Sequence, residues 1–281
     1  MTTLECFEEY RKNTFRITHP ITSLQEAIQY VEERGFLFFW PIKEIIFPSL
    51  WVAVAGDRPV PNQHDDPAHI TWNWKDSMLD KKIWYYAKIL RRKSTILSLE
   101  MAPYFYALSD NYGDPEEDTL TAYVQGRLSI EAKQIFEAIL EYGPLDTIQL
   151  KQKAHLTNPN YESRFNIALA NLQAEFKIVP IGISESGPWH YAFIYDLTHR
   201  QFPEIIENAR WISQQQARQE ILIRYFQSMA YAKSDWVQKL FQWNEEDISS
   251  TLEKLLQRNY LYKRTFLEIA GEWYVLAKID C

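Results

Sequence analysis

Residues 129–196 and 213–281 carry the same pattern twice: helix, short helix, helix, then a two-stranded hairpin. The closing segments match in spacing, with Trp189 seven residues before Asp196 and Trp273 seven residues before Asp280. An internal repeat fixes architecture ahead of any single-residue argument. Three helices closed by a hairpin form a winged helix, a common nucleic-acid-binding scaffold. The expected fold is therefore α+β and mostly helical.

Local signals place the elements. In the first copy, Ser129 opens a helix that Gly143-Pro144 stops, and Thr147 caps a short helix to about Leu156. Asn158-Pro159-Asn160 precedes a helix over 161–175, and KIVPIGI and WHYAFIY are the wing strands around an SESGP tip. In the second copy, Ser213 opens a long helix and Ser234 caps a short one. Asn244 to Asp247 begins a helix ending near Asn259, and YLYKRTFLEI and EWYVLAKI form the hairpin.

The N-terminal part repeats less clearly. Ser23 with Glu26 predicts a capping box, and Gly35 a helix stop. The run FLFFWPI at 36–42 predicts a buried strand ended by Pro41. Residues 56–69 read as a long irregular loop. Ile70, Trp72 and Trp74 alternate with Thr71, Asn73 and Lys75, which is strand periodicity. IWYYAKIL (83–90) and TILSL (95–99) predict a hairpin, and a helix is expected from near Pro103 to about Asn111. The divisions expected are 1–127, 128–197 and 198–281.

The net charge of −7 counts against a protein that coats DNA by bulk charge, although a local basic groove remains compatible with it. The 10 Trp, 17 Tyr and 15 Phe favour anchored cores and a stacking surface. Two cysteines, Cys6 and Cys281, make neither a disulfide framework nor a zinc-ligand spacing. The opening MTTLECFEEYRKN has no apolar signal core and no long apolar run follows, so a cytoplasmic protein without a membrane partner is expected.

In a helix-turn-helix the last helix enters the major groove by its N-terminal end. The last helix of the second copy opens with Glu245, Glu246 and Asp247, which suit the helix dipole and repel phosphate. The equivalent helix of the first copy offers Tyr161, Ser163, Arg164, Asn166 and Asn171 with Glu162 and Glu175 among them, as fitting for a solvated helix as for a DNA contact. Trp189 and Trp273 are expected to anchor the cores beneath the wings. One segment is strongly basic: Lys81, Lys82, Lys88, Arg91, Arg92 and Lys93, with Trp84, Tyr85 and Tyr86 beside them. It suits backbone tracking and base stacking, or equally a solvated hairpin tip. His64, Asp65, Asp66 and His69 carry metal-donor chemistry, but their spacing matches no motif, and no metal or cofactor is expected. There is no phosphate-cradling glycine loop and no nucleophile elbow.

Over 128–280 the chain resembles the AlkZ/YcaQ family of bacterial DNA glycosylases, in LSIEAKQIFEAILEYGPLDTIQL, RQEILIRYFQSMAYAKSDWVQKLFQW and EWYVLAKID. The resemblance implies three tandem winged helices, with 1–127 a diverged first unit, and a monomer. It also implies double-stranded DNA, alkylated or crosslinked, as the partner. The family's catalytic strand reads roughly Gly-aromatic-aliphatic-Gln-aliphatic-Gln or Asp. Here it corresponds to Gly35-Phe36-Leu37-Phe38-Phe39-Trp40, which puts Phe38 and Trp40 at the two polar positions. Neither can position or deprotonate water; both are suited to contacting a flipped base. Among Asp57, His64, Asp65, Asp66, Asp76 and Asp110, Asp65 or Asp66 would be the first choice as a relocated catalytic carboxylate. Three functions follow in order: a binder of damaged or distorted duplex, an active glycosylase with relocated groups, and a protein-interaction scaffold.

Overall fold

The computed structural model describes residues 3–61, 65–111, 113–187 and 190–279. The readings placed on His64, Trp189, Asp280 and Cys281 lie outside the described residues. After an N-terminal helix α1 (Thr3–Thr14), the first unit runs α2 (Leu24–Arg34), β1 (Phe36–Phe38), α3 (Leu50–Ala55), α4 (Ile70–Met78), β2 (Trp84–Ala87) and β3 (Thr95–Ser98). Helices α5 (Ala102–Tyr106) and α6 (Pro115–Val124) lead to α7 (Ile130–Tyr142), β4 (Leu145–Asp146), α8 (Thr147–Lys153), α9 (Glu162–Ala174), β5 (Ile178–Ser184) and β6 (Ala192–Leu197). Then α10 (Thr198–Gln201) and α11 (Pro203–Ala209) lead to α12 (Gln214–Met229), β7 (Tyr231–Ala232), α13 (Ser234–Phe241), α14 (Glu245–Gln257), β8 (Leu261–Thr265) and β9 (Glu272–Leu276).

One order thus recurs three times: helix, strand, helix, helix, strand, strand. The sheets recur with it. Each is antiparallel and places its last strand in the middle, as β1-β3-β2, β4-β6-β5 and β7-β9-β8. The N-terminal third, where sequence periodicity is weakest, has the same topology as the two clear repeats.

Several local signals act as expected. Ser23 and Glu26 form a reciprocal capping box on α2. Gly35 ends that helix at φ 76, and a Cβ there would meet Met101 Cγ at 2.7 Å, so both backbone angle and space require glycine. The segment 70–75 departs from its strand reading and is the start of α4. Asp66 accepts from the Ala68 amide and Pro67 occupies the first turn of a 3-10 segment that runs into the helix. The buried side chains are Thr71, Trp74 and Lys75, a helical spacing, while Ile70 and Trp72 face outward. The alternating Ile70, Trp72 and Trp74 therefore do not share a face.

Smaller differences have similar causes. β1 ends at Phe38, although Phe39 still donates its amide to the Ser94 carbonyl at 2.8 Å. The cap of α8 is Asp146 rather than Thr147, and α13 is preceded by Lys233 with no side-chain cap, so Ser234 is its first residue. α5 stops at Tyr106, short of Asn111. Helices α1, α3 and α11 have no counterpart in the sequence reading. Cys6 of α1 is disulfide-bonded, a pairing that the sequence reading does not assign.

The first and second units each bury a core of their own, the first around Tyr30, Leu37, Phe39 and Trp84, the second around Ile135, Phe136, Phe165 and Leu172. A larger core joins Phe36, Phe38 and Phe47 to Tyr85, Phe176, Phe202, Tyr225 and Phe226, with α12 running through it. α1 lies on the third sheet, where Leu4 and Phe7 pack with Tyr231, Trp273 and Val275. Among the described residues no helix is long and apolar enough to cross a membrane.

Candidate nucleic-acid interface

β1 leads into the position of interest. Phe38 is fully buried, its ring edge-on to Phe47 at 6.0 Å. It offers no face on which a base could stack, which corrects its reading as a base contact. Trp40 lies one residue beyond the buried run and is half-exposed. Its ring packs against Phe39 at 4.7 Å, Trp51 at 5.2 Å, His69 at 6.0 Å and Trp72 at 6.1 Å. The two positions therefore diverge: Phe38 is core, and Trp40 belongs to an aromatic surface.

That surface continues onto the second unit. Trp72 and Tyr191 lie nearly parallel, 14° apart with centroids at 6.3 Å, and are 36% and 37% exposed. Beneath them is a buried cation. Lys75 Nζ donates to the Tyr191 hydroxyl at 2.8 Å and pairs with Asp76 Oδ1 at 2.7 Å, and Tyr191 donates to Asp76 at 2.9 Å. Five rings surround the ammonium, from Phe193 at 4.6 Å to Trp72 at 5.7 Å. Burial pushes the Lys75 amine below its ordinary range, with the hydrogen bond and charge of Asp76 opposing the shift. Burial and then the Asp76 charge push the Tyr191 phenol up. Ring faces around the ammonium and a carboxylate beside it make the site tolerable for a charge. Sequence reading names Asp76 only as a weak carboxylate and misses Lys75 and Tyr191. The strand reading hid the helical face of Lys75, and no local pattern signals Tyr191.

The preferred carboxylates are otherwise occupied or unsupported. Asp66 is held by Arg58 in a two-pronged ion pair at 2.7 and 2.8 Å while it caps the 3-10 turn. The Arg58 hydrogen bonds hold its carboxyl below the usual aspartate range, which weakens it as a base for water. Asp65 is exposed in the loop, and Asp110 pairs with Arg127 at 2.6 Å. Asp57 lies on a groove of about 470 Å³ with Arg11, Lys12, Phe15, Ile42 and Ile45. Among the described residues no group of three or more His, Cys, Asp or Glu is placed to hold a metal.

The basic segment divides in two. Arg91 donates to the Lys239 carbonyl of α13 and Arg92 to Asn171 of α9, so both guanidinium groups tie units together. Lys88 is half-buried, and its backbone amide donates to Gln173. Burial pushes the Lys88 amine down, and Lys93 adds to the shift. Lys81, Lys82 and Lys93 are exposed, and Lys81 pairs with its neighbour Asp80 at 2.9 Å. On α9, Tyr161, Ser163, Arg164 and Asn166 are exposed, and Arg164 faces Glu131 at 3.6 Å. Asn171 is engaged by Arg92 and is withdrawn from that surface. Asp247 of α14 pairs with Arg218 at 2.8 Å, next to Glu245 and Glu246 in the acidic first turn.

Trp273 is buried against Trp236 at 5.4 Å and Tyr231 at 5.3 Å, in keeping with its reading as a wing anchor.

Comparison with known proteins bears on family and fold. The family model described as AlkZ related matches residues 21–242. No curated protein sequence matches the chain. Among solved structures, the Streptomyces sahachiroi DNA glycosylase AlkZ superimposes with a TM-score of 0.61 over 99% of this chain and 70% of its own, at 12% identity. At that identity the likeness is one of fold.

Proposed function

Because this chain belongs to the AlkZ-related family, whose model matches it over residues 21–242, we propose that it binds duplex DNA and recognises damaged or distorted sites. In this reading it is a winged-helix, DNA-repair-related protein of three units, 1–127, 128–197 and 198–281, that works without the family's polar pair. One observation carries the reading. At the second of those polar positions stands Trp40, part of an aromatic surface that includes the exposed rings of Trp72 and Tyr191. A surface of ring faces receives bases that have left the stack, and damaged or mismatched pairs give them up most easily. Lys81, Lys82, Lys93 and Arg164 are exposed cations that would hold phosphates. Phe38 supports the core and has no part in base contact.

The test is binding of the whole chain to labelled duplexes, plain, mismatched, alkylated and abasic, at two salt concentrations. The expected result is tighter binding to the distorted duplexes, weakened by salt and by Trp72→Ala. Equal or absent binding to all four would remove the reading and favour a protein-interaction role.

A further inference from the structure

Lys75 lies directly behind the strand that carries Phe38 and Trp40. Its Nζ is 5.6 Å from the centre of the Phe39 ring, between those two positions. One carboxylate and one phenol touch it, Asp76 at 2.7 Å and Tyr191 at 2.8 Å, and these two touch each other. This is a set that imine chemistry can use: an amine to attack a carbonyl, a carboxylate to carry its protons and a phenol that holds both in place. A water-activating residue, which Phe38 and Trp40 cannot supply, is not required.

We propose that Lys75 forms an imine with the aldehyde of an abasic site in DNA, so that the chain is an abasic-site lyase; the proposal rests on the DNA-binding reading above. The neutral amine adds to C1′ of the ring-opened deoxyribose. Asp76 relays one proton from nitrogen to the carbinolamine oxygen; with a further proton taken up from solvent it then protonates the departing hydroxyl, so that water leaves, the protonated C=N bond of the iminium remains and Asp76 is again a carboxylate. The iminium acidifies C2′, whose proton passes to the Asp76 carboxylate. The electron pair expels the C3′ oxygen, breaking the C3′–O bond and releasing the downstream strand with a 5′-phosphate. Water then hydrolyses the imine and returns the free amine, so no oxidant or reductant is consumed.

Burial favours the uncharged amine that the first step needs. The side chain of Lys75 is 4% exposed, and Trp72 and Tyr191 stand between it and solvent. Rotation of the Tyr191 side chain, itself over a third exposed, is the opening that admits the aldehyde.

The test is borohydride reduction of the whole chain mixed with a duplex containing one abasic site, with duplex binding measured on the same samples. Expected is a covalent protein–DNA adduct that peptide mapping places on Lys75. It disappears in Lys75→Arg, which keeps a cation but cannot form the imine, and in Lys75→Met. Asp76→Asn slows adduct formation by at least tenfold, measured per bound duplex. Binding of the abasic duplex without any adduct overturns the lyase and leaves the binding reading intact, as does an adduct that persists in Lys75→Arg. Absence of duplex binding overturns both.

Discussion

Arg91 of the first unit donates to the main-chain carbonyl of Lys239 in the third at 2.7 Å, and through it the tip of the first hairpin is fastened across the molecule. Its neighbour Arg92 reaches Asn171 of the second unit, so two consecutive side chains leave in two directions. Both take left-handed backbone angles, φ 56 and 54, which cost an L-residue roughly 1–2 kcal/mol each. Changing Arg91 and Arg92 together to Ala should lower stability by about 1–3 kcal/mol. Lys93→Ala, an exposed change, should stay within about 0.5 kcal/mol. Urea unfolding measures both, and equal effects would show that the arginines are not fasteners.

Placing polar residues at positions 38 and 40 should fail unequally, for a reason of packing. Phe38 is wholly buried beside Phe36 and Phe47, so Phe38→Gln puts an amide with no partner into the core and should cost about 3–5 kcal/mol. Trp40→Gln, at a half-exposed position, should cost less than half as much. Thermal denaturation of the two variants decides it; similar losses would contradict the division between core and surface.

Lys75 should give the protein a rising stability profile on the alkaline side. Its folded-state pKa is lowered by burial, so between that value and the ordinary 10.5 the unfolded chain binds the extra proton. Wild type should therefore gain on Lys75→Met as pH rises through this window, with a constant difference below it. Parallel melting curves from neutral pH to about 9.5, short of tyrosine ionisation near 10, test the slope. A difference that falls with pH would reverse the sign and the assignment.

Asp146 ties a helix start to a wing. Its Oδ1 accepts from the Ile148 and Gln149 amides, both at 2.9 Å, and its Oδ2 from the Ser186 and Ser184 hydroxyls at 2.8 and 3.2 Å. Burial alone would raise this carboxyl, but the four donors together hold it below its ordinary 3.8. Asp146→Ala should cost about 1–3 kcal/mol near neutral pH. The contribution is fully present above pH 3.8 and is lost as pH falls through the lower folded value. Acid unfolding should separate the variant from wild type above that window and bring the two together below it.

What was legible in the sequence was local. Ser23 with Glu26, Ser129 and Gly143 act within one turn of themselves, and each caps or stops its helix as its residue type dictates. Ile70, Trp72 and Trp74 mislead because a short stretch with apolar residues at every second position satisfies a strand, and the turn set by Asp66 and Pro67 decides otherwise. The site is less legible still. Tyr191 stands 116 residues from Lys75, and only the packing of the second unit's hairpin against α4, through β5, brings them together. The basic run 81–93 was visible as charge, but which of its members face solvent depended on neighbours from two other units.

The placement of α1 bears on how the chain comes to be folded at all. Tyr10 bonds to the Gln227 carbonyl across 217 residues, Thr14 to that of Ser228, and Arg264 to Thr3. During synthesis the helix carrying Leu4 and Phe7 emerges long before the sheet that covers them. Until those strands follow, this apolar face is an open adhesive surface, and exposure to misassembly is set by a helix waiting for strands far along the chain.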